Sequence, residues 1–460
     1  MNFKSFRNFC LSCTLILRDF FFLTWSEARN VVSSIFHQFF HHLNSYTLVI
    51  FFSKYMPKSE PISFRELANK NYEFGDGYQS AIPLLVMAHE LDEAIRIKGI
   101  EGVIGKPLRV FDAGWVANIG HTSLLAQFPK MEKCGLASPS LKILPFTFSP
   151  NQTYLDLLSD YFTFIRLSNR TYSSYKPFLD RVSEKMGSIR VKGAVLEEYA
   201  AFNTIEASYR ARFGLNSSIF SKTSVNVPEK LLFELDARNL LSSKFVGIHV
   251  RDSVTPTTRS AGNCDISTYV EAIELLVDSG IKVVIQGNSK MKKLPEELQS
   301  HPMIWDYAHF PEKHPSLDMF FMANAYFLVG TGSGPITIGN DFGVKTLYTN
   351  LPCIGYHYDL RGYSLPHLII DKRKNELQSY SIMEKDSLAW SIREETHTSK
   401  RQRNSSAEIK EAVMDMLEEC KEDSQNHWYE NRFKQFFCGE RPAMTVAPSF
   451  YSKYAEVFSN

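Results

Sequence analysis

The chain has 460 residues, with 51 Lys+Arg against 50 Asp+Glu, a formal net charge of +1, and 44% hydrophobic residues that include 35 Phe. That length suggests two to three domains with ample cores, and charges mixed along the chain give none of the basic face or stripe that nucleic-acid binders show. Nucleic acid is therefore a poor partner, and a charged fraction of 22% at ordinary hydrophobicity also excludes a disordered or collagen-like chain.

The Phe residues concentrate early. Residues 30 to 53 carry no formal charge apart from histidine, a length sufficient for a bilayer span. Asn30, Ser33, Ser34, His37, Gln38, His41, His42, Asn44 and Ser45 interrupt the run, however, and Arg18-Asp19 breaks the apolar core that a signal peptide needs. Lys4, Arg7 and Arg18 beside apolar turns fit a helix lying in a membrane surface, and a helical hairpin packed on the following domain fits equally. The seven cysteines are few, odd in number and scattered, which argues for a reducing compartment rather than a disulfide framework. Cys10 and Cys13 have C-x-x-C spacing but no second pair or nearby His to complete a zinc site.

Met56 to Pro61 marks a boundary, after which helix and strand patterns alternate. Leu84 to Ile97 has helical spacing, Arg109 to Ala113 reads as a short buried strand, and Leu124 onward opens a helix before Pro129. Leu141 to Phe148 is strand-like, while Tyr154 to Phe164 and Val195 to Phe213 have helical period. The second half is clearer. Strands are expected at 245–250, 281–285, 303–305, 326–329 and 344–348, with helices at 266–277, 294–298 and 317–325 between them. Such alternation calls for a parallel sheet with right-handed crossovers, in which ligands bind beyond the carboxyl ends of the strands.

The loops that follow Val250, Ile285, Val329 and Tyr348 are therefore the ones to inspect. The first begins with His249-Val-Arg251-Asp252-Ser253, placing an imidazole, a guanidinium and a carboxylate at a strand end. The planar fork of Arg matches phosphate oxygens and stays charged at any relevant pH. The second holds Gly287-Asn288, whose polar groups suit a ribose or base edge. The third is Gly330-Thr331-Gly332-Ser333-Gly334-Pro335 before a helix, where free amides and hydroxyls suit an anion. It lacks the Gly-Lys-Ser/Thr of a Walker loop and the third Gly of a dinucleotide fingerprint. Arg251 and this turn together describe a diphosphate site. With no Asp-x-Asp in this half, they would stabilise a leaving diphosphate by preorganised electrostatics and without a metal or other cofactor.

The ordered set Ile119-Gly-His121, Gly214-Leu215, Gly247 to Asp252, Asn263-x-Asp265-Ile-x-x-Tyr269, Gly330-Thr-x-Ser-Gly334 and Pro448 to Tyr451 resembles a bacterial family of glycosyltransferases of surface polysaccharide and glycoconjugate synthesis. The His-Val-Arg piece is also similar to the His-x-Arg element of fucosyltransferase-like enzymes, whose Arg binds the β-phosphate of the sugar nucleotide. The resemblance covers most of the chain from about residue 80 onward. It implies an α/β fold of two Rossmann-like domains (GT-B type) with an N-terminal helical addition. The divisions would be a Phe-rich segment at 1–55, an acceptor-side domain at 56–235, a donor domain at 236–400 and a C-terminal helix and tail at 401–460. Phosphate roles pass to Arg251, Thr331, Gly332, Ser333 and Gly334. His249, Asp252, Asn263, Asp265, Gly287 and Asn288 would shape the donor pocket.

An acceptor-side general base is needed, and His121, with an ordinary pKa near 6.5, suits it, with Asp112 as runner-up. A tail helix is expected over Ser406 to Glu419, either crossing back to the first domain, as such helices commonly do in this fold, or solvated and followed by a loose tail. The expected partners are a nucleotide sugar and a glycan, glycoprotein or lipid-linked acceptor. The expected location is the cytoplasm, at the inner face of the membrane if residues 1–55 bind it. Where the family carries basic residues, this chain has Gly262 and Ile285, which motivates an alternative: a non-catalytic nucleotide-sugar or glycan-binding protein with a drifted pocket.

Overall fold

Apolar runs without polar alternation must be covered on both faces, so the second-half strands demand a sheet buried between two layers. The computed structural model describes residues 108–111, 119–136, 141–146, 152–161, 164–168, 189–191, 194–196, 198–214, 217–251, 263–351, 362–379, 395–421 and 446–458. The Phe-rich start, the helix expected at 84–97, Asp112 and Asp252 lie outside the described residues. No helix among the described residues is long and apolar enough to cross a membrane.

The first half contributes β1 (Leu108–Val110), α1 (Ile119–Leu124), α2 (Gln127–Lys133), β2 (Leu141–Phe146), α3 (Gln152–Ser159) and β3 (Phe164–Ser168). The strands form a parallel sheet in the order β1-β2-β3. Pro129 does not stop a helix as expected. It is the third residue of α2, within the first turn, where an amide has no intrahelical partner to lose. The helix expected to run to Phe164 ends at Ser159, and Phe164 opens β3, because a run of apolar residues fits either period until a sheet neighbour claims it. The pair β4 (Ile189–Val191) and β5 (Ala194–Leu196) is antiparallel, and α4 (Glu198–Phe213) ends at Gly214 with φ +97°.

The second half runs α5 (Glu229–Ala237), β6 (Phe245–His249), α6 (Val270–Asp278), β7 (Lys282–Gln286), α7 (Glu296–Gln299), β8 (Ile304–Asp306), α8 (Pro315–Asn324), β9 (Leu328–Thr331), α9 (Gly334–Asp341), β10 (Thr346–Leu351) and β11 (Tyr363–Pro366). These six strands form one parallel sheet in the order β11-β10-β9-β6-β7-β8. The chain moves outward from β6 through β7 to β8, then returns to the other side of β6 for β9, β10 and β11. That reversal is the Rossmann order, and it leaves a topological switch point between β6 and β9. A small antiparallel sheet of β12 (Leu368–Asp371), β13 (Glu376–Leu377) and β14 (Ser399–Gln402) follows.

One apolar cluster joins the first half to the six-stranded sheet, with Phe111, Leu125, Tyr154 and Leu158 packed among residues that include Phe245, Leu328 and Ile336. The other cluster covers the opposite side with Ile273 and Leu276 of α6 against Ile409, Val413 and Met416 of α10 (Ser406–Lys421). The tail helix α10 thus packs on α6, β10 and β11 of the second half, since its apolar stripe is taken up there. The tail helices α11 (Pro448–Lys453) and α12 (Ala455–Phe458) follow, and the Asp415 carboxylate accepts from the Ser449 amide at 2.9 Å.

Candidate functional site

Strands that flank a switch point leave a crevice because their outgoing loops part in opposite directions. Here the crevice lies beyond β6 and β9, where His249 stands level with Gly330 on one side and Gln286 on the other. The two strands approach so closely that a Cβ on Gly330 would lie 2.1 Å from the His249 carbonyl oxygen. Two hydrogen bonds bridge the crevice above that point. The Arg251 amide donates to the buried Thr331 hydroxyl at 3.1 Å, and Ser333 Oγ shares a 3.2 Å hydrogen bond with His249 Nδ1. The backbone of Arg251 and the Gly-rich turn are therefore brought together by the fold.

Ser333 is the extended residue before α9, and its hydroxyl caps no amide of that helix. The first amides of α9 and the turn around Gly332 lie at the mouth of the crevice, where a helix N-terminus favours negative charge. Burial pushes the His249 imidazole down to about 4, and the charges of Lys313 and Arg251 push in the same direction. At neutral pH it is an uncharged hydrogen-bonding group.

Around the end of β7, Gly287 has φ +156°, and a Cβ there would meet Met291 Sδ at 2.5 Å. Asn288 spends its side chain inside the turn, accepting from the Lys290 amide at 2.9 Å. The Cys264 amide donates to the Arg251 carbonyl at 2.9 Å, which ties Asn263 and Cys264 back to the strand end. Asn263 Oδ1 is buried and has no hydrogen-bond partner among the described residues. The Asp265 carboxylate accepts from the Ser267 amide at 2.8 Å and pairs with Lys292 at 3.1 Å, so it caps the turn that leads into α6. Burial opposes its ionisation, but the Ser267 and Lys292 contacts more than offset that and hold the carboxyl below its usual range.

The first half reaches the crevice through α1, which packs against α9. Ser123 Oγ and Thr337 Oγ1 share a 2.6 Å hydrogen bond between the two helices, and the Thr337 hydroxyl also donates to the Gly334 carbonyl at 2.7 Å. His121 occupies α1 two residues before Ser123, so its backbone sits beside the helix that carries the Gly-rich turn. The His121 side chain lies outside the described residues.

Strand β8 gives little signal in the sequence, because it is three residues long and ends in Asp306. Its outgoing loop carries Lys313, and Asp318 follows in the first turn of α8. Burial raises the Asp318 carboxyl to about 6, against the opposing pull of Lys313 and the Tyr307 hydroxyl. The available signal was the topology itself, since every carboxyl end of a parallel sheet feeds the same surface.

No protein-family model and no curated protein matches the chain. Solved structures similar to it include the glycosyl transferase family 9 protein from Veillonella parvula DSM 2008, at TM-score 0.37 and 12% identity, covering 69% of this chain and 97% of that one. E. coli heptosyltransferase WaaC with ADP aligns at TM-score 0.33 and 11% identity, covering 68% and 99%. The iron-containing dodecameric glycosyltransferase TibC from enterotoxigenic E. coli H10407 aligns at 0.29 and 14%, covering 53% and 57%. These superpositions transfer no residue to this chain, and the site stands on its own geometry.

Proposed function

We propose that the chain is a glycosyltransferase that moves a sugar from a nucleotide-diphosphate donor to a hydroxyl of a glycan, glycoprotein or lipid-linked acceptor. The observation that carries this reading is the convergence of Arg251 and the 330–335 turn across the β6/β9 switch point. A guanidinium carried at the end of β6 and free amides in the turn after β9 are the donor types that a diphosphate calls for. The orphaned Asn263 Oδ1 suits a hydroxyl donor such as a ribose or sugar group.

In the transfer, the acceptor oxygen bonds the anomeric carbon as the bond from that carbon to the phosphate oxygen breaks. Both electrons of that bond leave on the diphosphate, and the acceptor proton passes to the His121 imidazole. Arg251 and the amides of the turn stabilise the departing charge without a metal. His249, neutral, orients Ser333 rather than adding charge.

Turnover of a panel of nucleotide sugars with cell-derived acceptors tests the proposal. Arg251→Ala is expected to lower kcat/KM on the order of 10²–10³-fold, and full activity would remove the central claim. A chelator should leave turnover intact, whereas inhibition reversed by magnesium would overturn the metal-free step. A second reading, a non-catalytic nucleotide-sugar binder, is favoured by Ile285, which is buried in the apolar core where family members carry a basic residue. Nucleotide binding without nucleotide release would select it. A role for residues 1–55 at the inner membrane face is tested by co-sedimentation with anionic vesicles, with and without that segment.

A further inference from the structure

A diphosphate leaving group carries two or more negative charges, and Arg251 supplies one permanent cation. His249 supplies none, because burial keeps it neutral. We infer that Lys313 is the second cation of the diphosphate site, reaching into the switch-point crevice from the loop after β8. This rests on the donor reading above and adds to it a residue outside every motif in the sequence.

The geometry supports it at three points. The Lys313 ammonium donates to the Gly287 carbonyl at the end of β7, one strand from Arg251. It lies 5.3 Å from the centre of the Tyr307 ring, a cation–π distance that fixes the side chain over the same rim. Gly287 in turn lies against the end of β6, where a Cβ on it would stand 3.3 Å from the carbonyl oxygen of Val250, the residue before Arg251. The loop that presents it is braced. The Tyr307 hydroxyl donates to the His314 carbonyl at 3.1 Å and accepts from the His314 amide at 3.0 Å, while His314 Nδ1 accepts from the Ser316 amide at 3.2 Å and caps α8.

The present partner of the ammonium is an uncharged carbonyl, and a phosphate oxygen in its place adds the attraction between opposite charges. Lys313 is exposed, so a rotamer change brings it to the ligand without unpacking a core. Lysine suits this role as a compact point charge, while the fork of Arg251 sets orientation.

Titration calorimetry of ADP, UDP and GDP on the full chain tests the inference, using wild type, Lys313→Met, Lys313→Arg and Arg251→Ala. The tightest of the three is expected to bind Lys313→Met about tenfold more weakly, on the order of 1.4 kcal/mol. The salt dependence should become shallower, and Lys313→Arg should recover most of the affinity. Lys313→Gln serves as a second neutral variant if Met disturbs the exposed loop. If the neutral variants bind as wild type while Arg251→Ala loses affinity, Lys313 is not a ligand of the site and the donor reading survives. If wild type binds none of the three, both fail.

Discussion

A methyl group decides whether β6 and β9 can lie side by side. At Gly330 it would sit 2.1 Å from a backbone carbonyl and 2.8 Å from Ile336, and neither strand can retreat within a packed sheet. Gly330→Ala is expected to destabilise by about 3 kcal/mol or more in urea unfolding. Gly280→Ala, where nothing lies within 4 Å but φ is +72°, should cost only about 1–2 kcal/mol. Equal losses would show that backbone conformation, and not the close approach, makes Gly330 necessary. Two titrating groups beside the crevice act in opposite senses. His249 is held at about 4 against an ordinary 6.5, so between those values the unfolded chain binds the extra proton and stability rises with pH. Asp318 is raised from 3.8 to about 6, so the folded chain binds the extra proton there and stability falls with pH. Asp318→Asn should therefore steepen the rise of the urea midpoint between pH 4 and 6, and an unchanged slope would refute the assignment. The sequence announced His249, Arg251 and the Gly-rich turn because unusual residues stood at strand ends. It was silent on Lys313 and Asp318, whose residue types are ordinary and whose meaning comes from the strand they follow.

Helix α9 is held at both of its ends for different purposes. Its N-terminus opens on the Gly-rich turn, while its last residue, Asp341, is buried against the first half. The Asp341 carboxylate accepts from Lys130 at 3.0 Å and Tyr154 at 2.7 Å, and its carbonyl accepts from the Ile219 and Phe220 amides, each at 3.0 Å. Lys130 also pairs with Glu206 at 2.7 Å, and Glu206 pairs with Arg210. Burial alone would lower the Lys130 ammonium, yet the two carboxylates outweigh it and raise the group above 10.5. Burial raises Asp341 despite Lys130. The lysine thus keeps its proton, and the carboxylate bears the desolvation. Lys130→Met should cost about 3–5 kcal/mol by leaving buried carboxylates uncompensated, with Glu206→Gln added to it recovering part of the loss. A single variant within about 0.5 kcal/mol of wild type would show that the cluster is not a clamp. Because the folded Lys130 holds its proton more tightly than the unfolded one, its contribution is complete below pH 10.5 and disappears as pH rises through the folded value. The alkaline fall in stability should be gentler in Lys130→Met. None of this clamp was legible beforehand, because Lys130 and its partners are 76 and 211 residues apart and each reads locally as a solvated helix charge. The strands were legible, because an apolar run needs no distant partner to be recognised.

Across the described residues taken together, the six-stranded sheet is covered on one side by its own helices α6 and α10 and on the other partly by the first half. The α/β reading with a parallel sheet is therefore sound, and the tail was misassigned for a simple reason: an amphipathic helix shows that a face must be covered but not which surface covers it. The seam between the halves has a chemical centre in Phe220. Its ring meets Tyr154 and Tyr161 of the first half at 5.6 and 5.0 Å and Phe342 of the second at 5.2 Å, and it is almost wholly buried. Removing it leaves a cavity that neither half can close without moving the other, so Phe220→Ala should cost about 3–5 kcal/mol. The shared core also predicts how that loss appears. If the halves unfold as one unit, far-ultraviolet and near-ultraviolet circular dichroism will report one coincident urea transition, displaced as a whole in Phe220→Ala. A second transition that stays at the wild-type midpoint would show that the six-stranded sheet holds together without the first half. In that case the contact between α1 and α9, and with it the approach of His121 to the Gly-rich turn, would be a separable docking event rather than a consequence of folding.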